Sequence, residues 1–406
     1  MPSGIGVHIR RLTVPVYLPM LLLSVGRSAP IAAFPQYLAG LGASLAVVGV
    51  VVSLRGVGNL VSDLPGGLIL SRTPLKKVMV LCIVAAAAAN TAIVFVRNVA
   101  AIGVLVFISG SLTSVVVTAM MTYVRLAVPP DSRGRALSLV GGALRFGMLI
   151  GPVAGGLLSD RFGVPVAFAL RSACMAAAVA SVLSAPDRSI GLSGSDVRPA
   201  VREQAGAVVR GLSGRWYALA TVGLSILVLQ LMRSARTIFL PLWGDVLQLN
   251  AATIGAVISA GAAMELMIFV PAGIMMDRVG RKLTASVCIG VFALGVAFIP
   301  FTGGLAGLLA ASLVIGLGNG FGAGINMTFG TDLAPAGAVS TFLGAWRLFG
   351  DVGQAAGPAV VGAMAAAVGL AGSLFVTAGI GAVGLLMIAV LAPETLGMAR
   401  ENSQGP

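Results

Sequence analysis

The chain has 406 residues, 58% of them hydrophobic and only 10% charged, with 55 glycines and 20 prolines and a mean hydropathy of +1.02. A soluble surface needs roughly 25% charged residues, so the composition excludes a water-soluble globular protein, and the apolar setting of the glycines and prolines excludes a disordered one. The net charge of +13 comes from small groups of basic residues between apolar runs rather than from a basic block with interleaved aromatics, so it points to a membrane and away from nucleic acid.

Taken in chain order, the first element is a tail holding His8, the only histidine, which excludes a histidine-based proton relay or metal site. Arg10 and Arg11 precede a long apolar run that carries Pro15, Pro30 and Pro35 and leads straight into another span, unlike a cleaved signal. At roughly 20 apolar residues per crossing, spans are predicted near 13–39, 45–70, 78–96, 100–124, 136–159 and 164–184. A polar stretch follows, then six more spans near 216–241, 250–276, 283–302, 304–330, 339–366 and 370–393. The expected fold class is an all-α membrane protein of 12 transmembrane helices, with an N-terminal six-helix bundle (1–184), a cytoplasmic linker (185–215) and a C-terminal six-helix bundle with a short cytoplasmic tail (216–406). Within the linker, Val201, Ala205, Val208 and Val209 can share a helical face against Arg202 and Arg210, which reads either as an interfacial helix or as a solvated spacer. Cys82, Cys174 and Cys288 lie in predicted spans with no metal-ligand spacing, so they read as packing residues, and no metal or cofactor is expected.

Seventeen basic residues, among them Arg72, Lys76, Lys77, Arg125, Arg133, Arg135, Arg278, Arg281 and Lys282, fall in one set of loops and tails, against only Arg97 and Arg161 in the other. The positive-inside rule then puts both termini in the cytoplasm of a bacterial inner (plasma) membrane.

One offset of 206 residues recurs without a gap. Arg27-Ser28-Ala29 returns as Arg233-Ser234-Ala235, Pro35 as Pro241, Gly49 as Gly255, Pro65 and Gly67 as Pro271 and Gly273, Arg72 as Arg278, and Lys76 as Lys282. Gly110, Gly147, Gly151-Pro152 and Gly156 return as Gly316, Gly353, Gly357-Pro358 and Gly362. Six spans per half is an even number, so the halves are parallel repeats, with a site expected between them near the midplane and alternating access by rocking.

The loop after the eighth span reads PAGIMMDRVGRK and resembles the G-x-L-x-D-R-x-G-R-K signature of the major facilitator superfamily through Gly273, Met275, Asp277, Arg278, Gly280, Arg281 and Lys282. The resemblance implies a conformational latch in which Gly273 permits close helix approach, Asp277 caps or pairs with a neighbouring helix end, and Gly280 turns the chain. The first-half copy keeps Gly67, Arg72 and Lys76 but has Ser71 for the acid and Pro74 for the second glycine; Asp63 is a candidate substitute for the charge. In the fifth span, Gly147, Gly151, Pro152, Gly155 and Gly156 resemble the helix motif of the drug:proton antiporter branch, and the eleventh span repeats the pattern as GQAAGPAVVG. The chain departs from that branch at Val106, where an arginine is usual, and at Arg27, where cation exporters often carry an acid.

Ionisable residues within spans are costly and usually face a cavity or a partner; here they are Arg27, Arg55, Asp63, Arg145, Arg171, Arg233, Arg236, Glu265, Arg347 and Asp351. Arg27 and Arg233 are repeat-related and predicted to face each other across the substrate path, with Arg236 and Gln230 extending a donor stripe suited to an anionic or strongly polar group, or else forming a packing network with Glu265 or Asp351. Arg347 and Asp351 are spaced to pair on one face, whereas Glu265 has no such partner on its own helix. Because burial favours the uncharged form of an acid, Glu265 is the first candidate for proton coupling, followed by Asp351 and Asp63.

The expected function is proton-coupled export of a small drug-like or metabolic compound by a monomer, with the substrate, protons and the lipid bilayer as partners; uptake or uniport of a small, possibly anionic, solute is the second reading. An intramembrane enzyme would need paired carboxylates, a metal cluster or a nucleophile and base, and the acids are scattered.

Overall fold

The computed structural model describes residues 12–184, 216–334 and 339–396. The linker expected at 185–215 lies outside them, as do His8, Arg10 and Arg11. No strand occurs among the described residues, and eleven helices are long and apolar enough to cross a membrane. We label them α1 (Thr13–Ala32), α2 (Leu45–Arg72), α3 (Leu75–Phe95), α4 (Val99–Ala127), α5 (Pro130–Phe162), α6 (Pro165–Leu183), α7 (Trp216–Val246), α8 (Ala251–Arg278), α9 (Arg281–Phe301) and α10 (Leu305–Leu333). The last apolar stretch, Phe342–Leu391, covers 50 residues, which at 1.5 Å per residue is roughly 75 Å, more than twice the hydrocarbon thickness. It is broken at Gly369, whose φ of +79° no helix permits, so it comprises two spans, α11 (339–368) and α12 (370–391), and the described residues hold twelve.

The repeat read from the sequence is also a repeat of local geometry. Gly163 ends α5 with a φ of +85°, and Gly369, at the same place in the second half, has a φ of +79°. The turn before α2 uses Gly42 at +88°; its counterpart before α8 is Gln248 at +57°, a non-glycine held in the left-handed region. Ser44 caps α2 by accepting from the Val47 amide, and Asn250, 206 residues on, caps α8 by accepting from the Thr253 amide at 2.9 Å.

Contacts divide the chain into two compact units: residues 1–192 with 240–259, and residues 193–239 with 260–406. In unit 1, Gly147, Gly151 and Gly155 bring α5 onto α1. A Cβ there would lie 2.3 Å from Ser24 Cβ, 2.2 Å from Ser28 Oγ and 1.9 Å from the Ala29 carbonyl oxygen respectively. Ser28 Oγ donates to the Gly147 carbonyl at 2.9 Å across this seam. In membranes such small-residue seams do the holding, because lipid supplies no hydrophobic force between helices. Gly156 and Gly255 pack α5 equally tightly on the start of α8, where the Asp160 carboxylate accepts from the amides of Ala251 and Ala252, both at 2.9 Å. A third seam joins α2 to α4, with Gly110 against the Arg55 carbonyl.

Unit 2 repeats these seams at the same offset. Gly353 and Gly357 of α11 meet the carbonyls of Leu227 and Leu231 on α7, and Gly316 of α10 meets Gly261 of α8. Its core is aromatic, with Phe342 stacked on Trp346, which in turn touches Phe349.

Candidate functional site: a polar chain at the break in the tenth helix

The two halves differ most at α10. Its apolar helix stops at Phe321 and resumes at Ile325, with Gly324 at a φ of +84°. The positions of α4 that match Gly322 and Gly324 are Val116 and Thr118, and α4 runs through them unbroken. At the break the Gly322 carbonyl keeps only a long backbone bond, from the Ile325 amide at 3.3 Å, and accepts from Arg233 Nη2 at 2.9 Å. A Cβ at Gly322 would sit 2.3 Å from that nitrogen and 2.5 Å from Cys288 Sγ, so a larger residue would exclude the guanidinium.

From here a chain of polar side chains crosses three helices. Arg233 Nη1 donates to Gln230 Oε1 at 2.9 Å, and its Nε donates to Asn319 Oδ1. Asn319 Nδ2 donates in turn to Glu265 Oε2, which lies 3.6 Å from Arg236 Nη1. Arg236 and Glu265 are nearly enclosed, with side chains 10% and 14% exposed. Glu265, without a partner on its own helix, thus receives two from α7 and α10. Asn319 escaped the sequence reading because it is neutral and sits among glycines; the only available signal was a polar residue inside an otherwise apolar run.

Other expected site residues lie elsewhere. Arg27 belongs to unit 1, where it is exposed, while Arg233 belongs to unit 2 with its guanidinium engaged by Gln230, Asn319 and Gly322. Repeat-related positions therefore have different surroundings. Asp63 accepts from Ser114 Oγ at 2.6 Å on α4. Asp351 is half-buried and Arg347 exposed on α11.

The latch sequence forms a second cluster in unit 2. Gly280, at a φ of +136°, reverses the chain between α8 and α9. Arg281 Nε donates to Asp332 Oδ2 at 3.1 Å and its Nη1 to the Met276 carbonyl at 2.9 Å, while Thr395 Oγ1 donates to the same Asp332 oxygen. Two expectations need adjusting. Asp277, 72% exposed, lies 3.6 Å from the side chain of Arg281, the first residue of α9, so it pairs with the neighbouring helix end without capping it; the carboxylate that caps α9 is Glu394, which accepts from the amides of Arg281 at 3.0 Å and Lys282 at 3.1 Å. Gly273 and its counterpart Gly67 do not mediate close approach, since a Cβ on either would meet nothing within 4 Å. Asp332 and Glu394 had no signal beyond being acids near span ends, because their partner is brought to them only by the fold. Replacing Glu394 with alanine removes a charged acceptor from the first turn of α9 and should cost about 1 kcal/mol, lowering the Tm of the purified protein by about 2–4 °C; an unchanged Tm would show that the cap contributes nothing.

Comparison with known proteins agrees with this architecture. The family model of the Major Facilitator Superfamily matches residues 16–345 and 222–405. An uncharacterized MFS-type transporter of Mycobacterium tuberculosis is 28% identical over 178 residues, 44% of this chain but only 31% of that protein's length. Among solved structures, a bacterial homologue of the human lysosomal transporter Spinster matches with a TM-score of 0.78 at 11% identity, covering 100% of both chains. The nucleoside transporter NupG matches with a TM-score of 0.70 at 15% identity, covering 96% of this chain and 99% of that one. At such identities the solved structures show the fold alone. The family match, which spans both halves, takes in the twelve-helix repeat and the latch sequence together, and the chain therefore belongs to the Major Facilitator Superfamily.

Proposed function

We propose that this chain is a proton-coupled secondary transporter of a small organic solute, working by alternating access as a monomer in a bacterial inner membrane with both termini cytoplasmic. The observation that carries the reading is Glu265, an enclosed carboxylate held between Asn319 and Arg236 and linked through Asn319 to Arg233. Protonating Glu265 removes the charge that engages Arg236, so proton occupancy and the arrangement of the arginine donors are coupled through shared partners. Arg233, Arg236 and Gln230 are then the substrate-side groups in unit 2, with Asp351 and Asp63 as lesser candidates for the proton.

Export is the direction supported by the likeness of α5 to the antiporter motif. Uptake in the same architecture is a second reading, favoured by the packing itself: Gly147, Gly151 and Gly155 are accounted for by the seam with α1, and α11 builds a like seam on α7, so the motif has a role independent of direction. Of the solved structures compared above, one is named for nucleosides and the other for no solute, and neither selects the substrate here.

The test is substrate-driven proton movement in vesicles containing the purified protein, under an imposed pH gradient, with lipophilic cations and organic anions added in turn. Glu265→Gln keeps the shape but cannot titrate, and it should reduce substrate-linked proton movement at least tenfold while substrate exchange without a gradient continues. Proton movement at the wild-type rate in Glu265→Gln would move the coupling site to another acid.

A further inference from the structure

Unit 1 carries positive charge inside its spans that the described residues leave without an ion pair. Arg55 of α2 and Arg171 of α6 lie against one turn of α4, and Arg27 of α1 is joined to Arg55. Arg171 Nη2 donates to Ser109 Oγ at 2.9 Å. At the next residue of α4, a Cβ on Gly110 would lie 2.5 Å from the Arg55 carbonyl oxygen, so the backbones of α2 and α4 touch there. Arg55 Nη2 donates to the Arg27 carbonyl at 3.3 Å. The remaining side is closed by Gly26, whose Cβ would lie 3.1 Å from Arg171 Cα.

Among the described residues none of the three arginines forms an ion pair, and the Arg27 guanidinium makes no hydrogen bond. Arg171 is only 6% exposed, yet its Nε has no acceptor. The repeat makes the imbalance specific. Positions 206 residues on from the trio hold Arg233, Gly261 and Thr377, and the position matching Glu265 holds Asn59. Unit 2 sets an acid against its arginines, whereas unit 1 has an amide at that place and two further arginines.

Packing explains Arg171, which Ser109 anchors, itself held by a hydrogen bond from Asn90. It does not explain Arg27, exposed five residues before the end of α1 with the apolar helical segment Phe34–Gly40 still to follow, where hydrocarbon would not accept a guanidinium. Three like charges within spans cost several kcal/mol and repel one another, an arrangement that an anion would relieve through charge-assisted hydrogen bonds. Arg55 lies ten residues into α2, about 15 Å from its end, too deep for a lipid headgroup at the interface.

We propose that Arg27, Arg55 and Arg171 form an anion-binding site in unit 1 that takes the carboxylate or phosphate group of the transported solute. Arg27 and Arg55 contact the anion, and Arg171, held by Ser109, positions them. The proposal rests on the transporter reading above but not on Glu265 or on the direction of transport.

The experiment uses the full chain in nanodiscs of neutral phosphatidylcholine, titrated at constant ionic strength with inorganic phosphate, citrate and tetraphenylphosphonium while the thermal unfolding midpoint is followed. Phosphate or citrate should raise the midpoint in a saturable way and tetraphenylphosphonium should not. Arg27→Gln and Arg55→Gln should each raise the apparent Kd about tenfold or more, from the loss of one charge-assisted hydrogen bond. Arg27→Lys should recover part of the affinity. Should Arg171→Gln fail to fold, the Arg27 and Arg55 variants carry the test. Stabilisation by the cation alone, no anion effect, or an anion effect that survives both glutamine variants overturns the site. Saturable anion binding by the wild type, lost in the two glutamine variants, together with undiminished proton movement in Glu265→Gln would instead overturn the coupling role of Glu265 and leave this site standing.

Discussion

Replacing Gly155 with alanine should leave little folded protein. The new Cβ would lie 1.9 Å from the Ala29 carbonyl oxygen, 2.5 Å from its carbon and 2.7 Å from its Cα, and backbone atoms cannot rotate out of the way. Restoring ordinary contact needs α1 and α5 to part by about 1.5 Å. That separation would also loosen Gly147 and Gly151 on Ser24 and Ser28, and stretch the hydrogen bonds from Ser24 Oγ to the Leu144 carbonyl and from Ser28 Oγ to the Gly147 carbonyl. Close packing and these bonds are what hold the pair together in lipid, so the cost should exceed the ~1–3 kcal/mol usual for overpacking. Gly273→Ala is the control: its Cβ meets open space, so stability should stay within about 0.5 kcal/mol or rise slightly with helix propensity. Recovery and Tm of the purified variants decide the matter. A Gly155→Ala protein as monodisperse and heat-stable as the wild type would show that the seam yields far more readily than its geometry implies.

Arg233→Ala should reduce solute transport at least a hundredfold, and Arg233→Lys should do little better. The guanidinium serves Gln230, Asn319 and the Gly322 carbonyl simultaneously, with its fork spread over three directions. An ammonium is a single point with different donor geometry and cannot reproduce that spread. Three hydrogen bonds from a charged donor are lost, and any two of them, at about 1.5–3 kcal/mol each, already account for the expected loss. Removing the arginine also frees Asn319 from one side while Glu265 keeps Arg236, so the effect should fall mainly on transport and only modestly on Tm. Initial transport rates and Tm, measured together, separate the two; rates within twofold of wild type in Arg233→Ala would remove Arg233 from the transport path.

Much of the architecture was legible before any coordinates. The 206-residue offset named helix pairs that do pack alike, because a repeated glycine or proline acts mainly through the backbone and its immediate turn. Gly163 and Gly369 show it, as do Ser44 and Asn250, each acting over a few residues of its own helix. The latch glycines read less well. Gly67 and Gly273 match the family pattern, yet neighbouring helices leave open space beside them, and the absence of a neighbour leaves no mark on the residue itself.

By itself, then, the sequence determined a membrane protein of two six-helix repeats, the helix boundaries to within a few residues, and the inventory of charges that must be accommodated inside it. Hydropathy, capping and turn chemistry are local, and they suffice for that. Only the tertiary structure decided which charges meet. Arg27 and Arg233 are equivalent by sequence, but the break at Gly322 and the placement of Asn319 give Arg233 its partners, while Arg27 stands with Arg55 and Arg171. Likewise Glu265 acquires Arg236 and Asn319, and Arg281 acquires Asp332 and Glu394, across gaps of 29 to 113 residues. The strength of such a pairing depends on distance and enclosure, quantities created when helices pack and not encoded in any window of the chain.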